Sequence, residues 1–187
     1  MIMEQNVIQK NMWNTAGKAG LFLGLVSTAF LFISQGIGQI EIPALLNSIL
    51  GFVLWAVKFV GCIWIMRFFM KKFVSGNSSA TNSDTFKLGM AMAILSALVY
   101  SAFAFANVAF ISPELFENQM DSVMQQMAPM MDSNTQGMME TYLENLPQIT
   151  FFSNLIYCFI YGMILSFILS RNIPSKDPFA EYKPEEQ

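Results

Sequence analysis

Residues 88–111 read LGMAMAILSALVYSAFAFANVAFI, 24 residues without one charge. At about 1.5 Å of rise per residue a helix of this length reaches about 36 Å, enough to cross a hydrocarbon core of about 30 Å. A segment in lipid has no water for its N–H and C=O groups, so it must close its hydrogen bonds along its own helix. Gly89, Ala93, Ala97 and Ser101 recur at every fourth position of the stretch. Lipid gives no hydrophobic reward for helix association, so such small residues, which let backbones approach closely, mark a packing face.

Three further segments meet the same length requirement: residues 15–37, 45–67 and 149–169. Together with 88–111 they predict an all-α protein, a four-helix transmembrane bundle with a helical hairpin outside, in loop 112–148. Residues 1–175 are read as one membrane domain and 176–187 as a disordered cytoplasmic tail, polar and Pro-containing. Composition agrees: 54% of the 187 residues are hydrophobic and 12% charged, against roughly a quarter charged in soluble domains. Small-residue spacing recurs as Gly20-x-x-x-Gly24 followed by Thr28, and as Gly162-x-x-x-Ser166-x-x-x-Ser170.

Basic residues set the orientation. Lys10, Lys18, Arg67, Lys71, Lys72, Lys87, Arg171, Lys176 and Lys183 all fall on one side of the four spans, and the alternate connections, around Glu41 and at 112–148, have no Lys or Arg. The positive-inside rule then predicts cytoplasmic N- and C-termini. Lys10 and Lys18 ahead of an apolar run also suit a signal peptide, but no A-x-A-like cleavage site follows, and a retained helix is expected. The Ser-, Asn- and Gly-rich connection 75–83 reads as a flexible link, with Ser83 or Asp84 as N-cap of the third span.

Several function classes are excluded or disfavoured. Without any His, a Ser-His-Asp triad, a Cys-His pair and a zinc-protease motif cannot be built. A net charge of -3 disfavours nucleic acid as a partner. Cys62 and Cys158 fall within spans and read as small packing residues. No cofactor motif is present, and a non-enzymatic role is expected.

Lys58 is the sharpest single feature, a cation inside the second span with no Asp or Glu in any span to pair with it. An intramembrane ionisable residue is by default a functional-site hypothesis. Lys58 could snorkel, lie neutral, or meet an anion from a lipid or a carried substrate. A small transporter or permeability factor would place it in a polar cavity with Asn107, Tyr100 or Tyr161. The basic group Arg67, Lys71 and Lys72 at the end of the same span is a candidate contact for anionic membrane lipids. In the outer loop, Phe116, Met120, Met124, Met127 and Met131 recur at helical spacing after Ser112, Pro113 and Glu114. They predict an amphipathic helix whose apolar stripe could face itself, the membrane, or a membrane or periplasmic protein partner. Soft thioethers also allow a Cu(I)-handling reading.

The chain also resembles a bacterial integral membrane family catalogued as domain of unknown function 4199. The resemblance is carried by the Gly-spaced first helix, Arg67-Phe68-Phe69-Met70-Lys71-Lys72, and Thr85-Phe86-Lys87-Leu88-Gly89. Tyr100, Ser112-Pro113-Glu114-Leu115-Phe116, the acidic loop closing at Tyr142 to Pro147, and a last span ending at Arg171 complete it. It implies a multi-pass protein of the bacterial inner (plasma) membrane and brings neither an assigned reaction nor catalytic residues.

Overall fold

The computed structural model describes residues 2–40, 42–77, 79–127 and 132–174. Its elements are helices: α1 (Ile2–Gly38), α2 (Ala44–Gly76), α3 (Asn82–Ala106) with a π-helical turn (Asn107–Ile111), α4 (Pro113–Met127), α5 (Ser133–Glu144) and α6 (Leu146–Arg171). Four of them, α1, α2, α3 with its π-helical turn, and α6, are long and apolar enough to cross a membrane. Each extends beyond the segment expected from hydropathy. The ends are less apolar, but once a helix is nucleated, adding a residue costs little.

α3 lies at the centre, gripped on two faces by small residues. A Cβ on Gly89 would come 2.7 Å from Ser166 Cβ, and one on Gly162 would come 2.5 Å from Ala93 Cβ, so α3 and α6 run antiparallel with their backbones nearly touching. On another face of α3, Gly20 and Gly24 of α1 leave no room for a side chain beside Leu95 and Val99. Here the register rises together in both helices, so α1 and α3 are parallel. α2 is the antiparallel connection between them, with Ser27 of α1 facing Cys62 and Asn11 donating to Asn77 Oδ1 at 3.1 Å. The small-residue stripes expected from spacing are therefore used within one chain. Two of their hydroxyls bond back along their own helices, Thr28 Oγ1 donating to Gly24 O at 2.9 Å and Ser166 Oγ to Gly162 O at 2.6 Å, whereas the buried Ser101 Oγ has no partner among the described residues.

Apolar packing is concentrated at the end of the bundle that carries α2's C-terminus. Ala16, Ala19 and Leu23 of α1 meet Met66, Met70 and Phe73 of α2, Leu88 and Met92 of α3, and Leu169 and Ile173 beyond. All of α2's buried residues, Met66, Met70, Phe73 and Val74, lie in its last third. Towards the hairpin end, α2 draws away.

The connection from α2 to α3 is tied down rather than slack. Asn77 Nδ2 donates to Phe73 O at 2.8 Å, and Ala80 is buried. The N-cap of α3 is Thr81, not Ser83 or Asp84: Thr81 Oγ1 accepts from Asp84 N at 3.1 Å while the Asp84 carboxylate accepts from Thr81 N, also at 3.1 Å. This reciprocal capping box satisfies two otherwise orphaned donors, which a cap at Asp84 alone would not.

The π-helical turn closes with Ser112 N donating to Asn107 O at 2.9 Å. α4 begins at Pro113 with Glu114 in its first turn and buries none of its residues. α5 is capped by Asp132, whose Oδ1 accepts from Thr135 N at 2.8 Å. Hydrogen bonds from the Thr135 side chain, first, and from its backbone N–H hold the Asp132 carboxyl below the usual carboxylate range. Met131 and the tail 176–187 lie outside the described residues.

Candidate functional site

The site is assembled where the four spanning helices face one another beyond the packed end. Along α2, helical spacing puts Trp55, Lys58, Phe59, Cys62 and Met66 on one face, and along α6 it does the same for Tyr157, Cys158, Tyr161, Gly162 and Leu165. With Leu23 and Ser27 of α1 and Ala93 and Ser96 of α3, these residues enclose a cavity of about 140 Å³. Close packing of α3 against α6 at Gly162 and Ala93 forms its floor. The partial withdrawal of α2 leaves the space open.

Lys58 turns into the bundle. Its Nζ stands 4.6 Å from the centroid of the Tyr100 ring on α3. A cation over an aromatic face is attracted by the ring quadrupole, and more strongly where water is scarce. Among the described residues, no carboxylate pairs with it. A second cavity, of about 250 Å³, lies between α1, α2 and α3 and is lined by Phe30, Leu31, Ser34, Gly51 and Leu54 together with Trp55, Lys58 and Tyr100. Lys58 and Trp55 line both cavities. The two spaces are thus neighbours along α2, with the ammonium over Tyr100 on the side of the second.

Polar groups converge on the first cavity. Ser27 Oγ and Cys62 Sγ are 3.8 Å apart. Tyr161, held by the Phe59 ring at 5.5 Å between centroids, has a buried hydroxyl with no hydrogen-bond partner among the described residues. A buried phenol O–H normally finds an acceptor. Both free cysteines, Cys62 and Cys158, line this cavity. The arrangement offers one lysine and aromatic walls, while the Tyr161 hydroxyl is buried away from the open space, and suits recognition of an anionic group with an apolar body.

A family model described as "Protein of unknown function (DUF4199)" matches residues 18–171. The chain belongs to that family. The matched region includes all of the residues lining both cavities. No curated protein and no solved structure matches the chain.

The other sequence-predicted residues stand apart from this site. Arg67, Lys71 and Lys72 are all exposed, further along α2 towards the packed end. Phe116, Met120 and Met124 are half-buried on α4 and Met127 is exposed, so the thioether stripe is not brought to Lys58. Asn107 does not line the Lys58 cavities; its Nδ2 donates to Gln35 Oε1 on α1 at 2.8 Å. Sequence reasoning did not place Ser27, Ser96, Cys62 or Cys158 in a site. The spacing of Lys58 and Cys62, four residues apart, was the available signal; which face of α2 points inward is decided by α1 and α6.

Proposed function

We propose that the protein is a non-enzymatic component of the bacterial inner membrane, with both termini cytoplasmic, that binds an anionic membrane amphiphile at Lys58. The observation that carries this reading is the inward turn of Lys58 towards Tyr100 and two cavities, with no acidic side chain beside it among the described residues. A charged Lys at the centre of a membrane helix costs about 2.5–3.5 kcal/mol on insertion scales. Snorkelling to the bilayer surface would relieve that cost, yet the ammonium is directed into the bundle. An anion supplied from the bilayer would offset it and use the donor already aimed into the space. The exposed Arg67, Lys71 and Lys72 add a second place for anionic headgroups, at the membrane surface.

Native mass spectrometry of the full chain after exchange into mixed lipids tests this. Anionic amphiphiles should be retained over neutral ones of equal chain length, and Lys58→Gln should abolish the preference; equal retention of neutral and anionic species by the unaltered protein would refute the reading. The orientation is tested by reporter fusions: one after Gln148 should report an external position and one after Ser79 a cytoplasmic position.

A second reading, a small transporter or permeability factor, draws on the continuation of space past Lys58 into the second cavity. It requires flux of an anion across proteoliposomes that falls in Lys58→Gln. Binding with no flux would leave only the first reading.

A further inference from the structure

The residues around the two cavities are graded along the bundle. In the first, the exposed members are Trp55 and Tyr157, the lining residues of α2 and α6 nearest the hairpin. Leu23, Met66 and Ala93, nearest the packed end on α1, α2 and α3, are buried. The second cavity continues from the first towards the hairpin on both helices that line them: α1 gives Leu23 and Ser27 to one and Leu31 and Ser34 to the other, and α2 runs on from Lys58 to Gly51. Ser34 and Gly51, at its hairpin end, are exposed. Both spaces therefore close towards the packed end and open towards the hairpin end.

Long apolar side chains make the closure. Met70, Leu88 and Met92 are fully buried just beyond Met66. Methionine fills irregular gaps, and an interior packed to that density leaves no route for a headgroup or a hydrated ion. At the other end, Gly51 has no side chain to narrow the opening, and a Cβ there would meet nothing within 4 Å. It stands seven residues from Lys58, about 10 Å along the helix.

We infer that Lys58 receives its anion from the extracytoplasmic leaflet alone, as the headgroup of an anionic lipid entering between Ser34 of α1 and Gly51 of α2, and is shut off from the cytoplasmic leaflet. This rests on the readings that Lys58 binds an anion and that both termini are cytoplasmic, which makes the hairpin end the outer one. A one-ended site favours binding over passage, because flux would require the buried methionines to part.

Right-side-out and inverted membrane vesicles from cells making the full chain test this. Lysophosphatidylglycerol with a diazirine beside its headgroup is added to one face and irradiated before it crosses. Adducts on the α1 and α2 peptides at the opening are read by mass spectrometry, with lysophosphatidylcholine bearing the same diazirine as the net-neutral control. Adducts should form in right-side-out vesicles, exceed those of the control, and be lost in inverted ones. Lys58→Gln should lower them about tenfold through loss of a bond to a charged group, and Lys58→Arg should keep them. Gly51→Trp, which narrows the opening, should also lower them, whereas Gly61→Trp, on α2 but lining neither cavity, should not; the inference is thus tested even if the Lys58 variants fail to fold. Excess inorganic phosphate should not compete, and competition by it would overturn the lipid as the source of the anion. Equal phosphatidylglycerol adducts from both faces, or adducts from inverted vesicles alone, would overturn the one-sided inference and leave the anion reading standing. Equal adducts from the net-neutral control in both kinds of vesicle would overturn both.

Discussion

Helices α3 and α2 are both apolar, both long enough to span a membrane and of similar mean hydropathy over their most apolar stretch, 2.0 and 2.2, yet 28% of that stretch is buried in α3 and 6% in α2. Hydropathy therefore reports whether a helix enters lipid and says nothing of how tightly it is held there. What separates the two is the spacing of small residues. In α3, Gly89, Ala93, Ala97 and Ser101 present a flat stripe to α6; in α2, Gly51 and Gly61 are each followed four residues on by a bulky side chain, Trp55 and Ile65. The well-held helix is the scaffold, and the loosely held one carries the lone cation and leaves the space around it.

The comparison breaks if a glycine packed against α3 and one on α2 prove equivalent. Gly162→Leu, which drives a side chain into Ala93 of α3, should cost about 3 kcal/mol or more. Gly61→Leu on α2, where a Cβ meets nothing within 4 Å, should stay within about 0.5 kcal/mol. Unfolding in detergent, followed by circular dichroism, measures both; equal losses would mean that α2 is gripped as tightly as α3.

A smaller effect of opposite sign should come from Lys58→Met. Removing an unpaired intramembrane charge while keeping an unbranched side chain should stabilise the ligand-free protein by about 1–3 kcal/mol. The same unfolding measurement checks it. Destabilisation would show that the Tyr100 contact more than offsets the cost of burying the ammonium, and that α2 is held by it.

The helix caps sharpen the contrast between the packed end and the hairpin. Thr81→Ala removes one half of α3's capping box and should cost about 1 kcal/mol, read as a lowered midpoint of unfolding. The smallest effect belongs to Asp132, on the exposed cap of α5. Its carboxyl titrates below its ordinary value because it accepts from Thr135, so the cap's contribution is present above the unfolded-state value of about 3.9 and is lost as pH falls through the folded one. Hydrogen exchange at Thr135 N–H should quicken there, while Asp84 N–H, bonded to a hydroxyl that does not ionise, should be less affected.

Much of the architecture was legible because the physics of membrane helices is local. An uncharged run such as 88–111 and a repeated four-residue spacing of small side chains are properties of neighbouring residues, and both matched the structure. The misses have local causes too. Thr81, Ser83 and Asp84 are all good capping residues, and the reciprocal bonds that choose Thr81 depend on backbone geometry. The helical extension before Thr15 lies where hydropathy falls, so the length criterion passed over it. The flexible reading of residues 75–83 weighed composition and passed over Ala80, a small apolar residue buried with the core cluster.

By itself, then, the sequence determined that four segments cross the membrane, which faces let backbones touch, and that one lysine in the spans has no acidic partner there. Only the tertiary structure decided that Lys58 points inward towards Tyr100 and that Tyr161 and both cysteines line a cavity it shares. The facing positions on α2 and α6 lie about a hundred residues apart along the chain. The rotation of each helix about its own axis follows from contacts with its neighbours, because in lipid no solvent-facing side exists to set it.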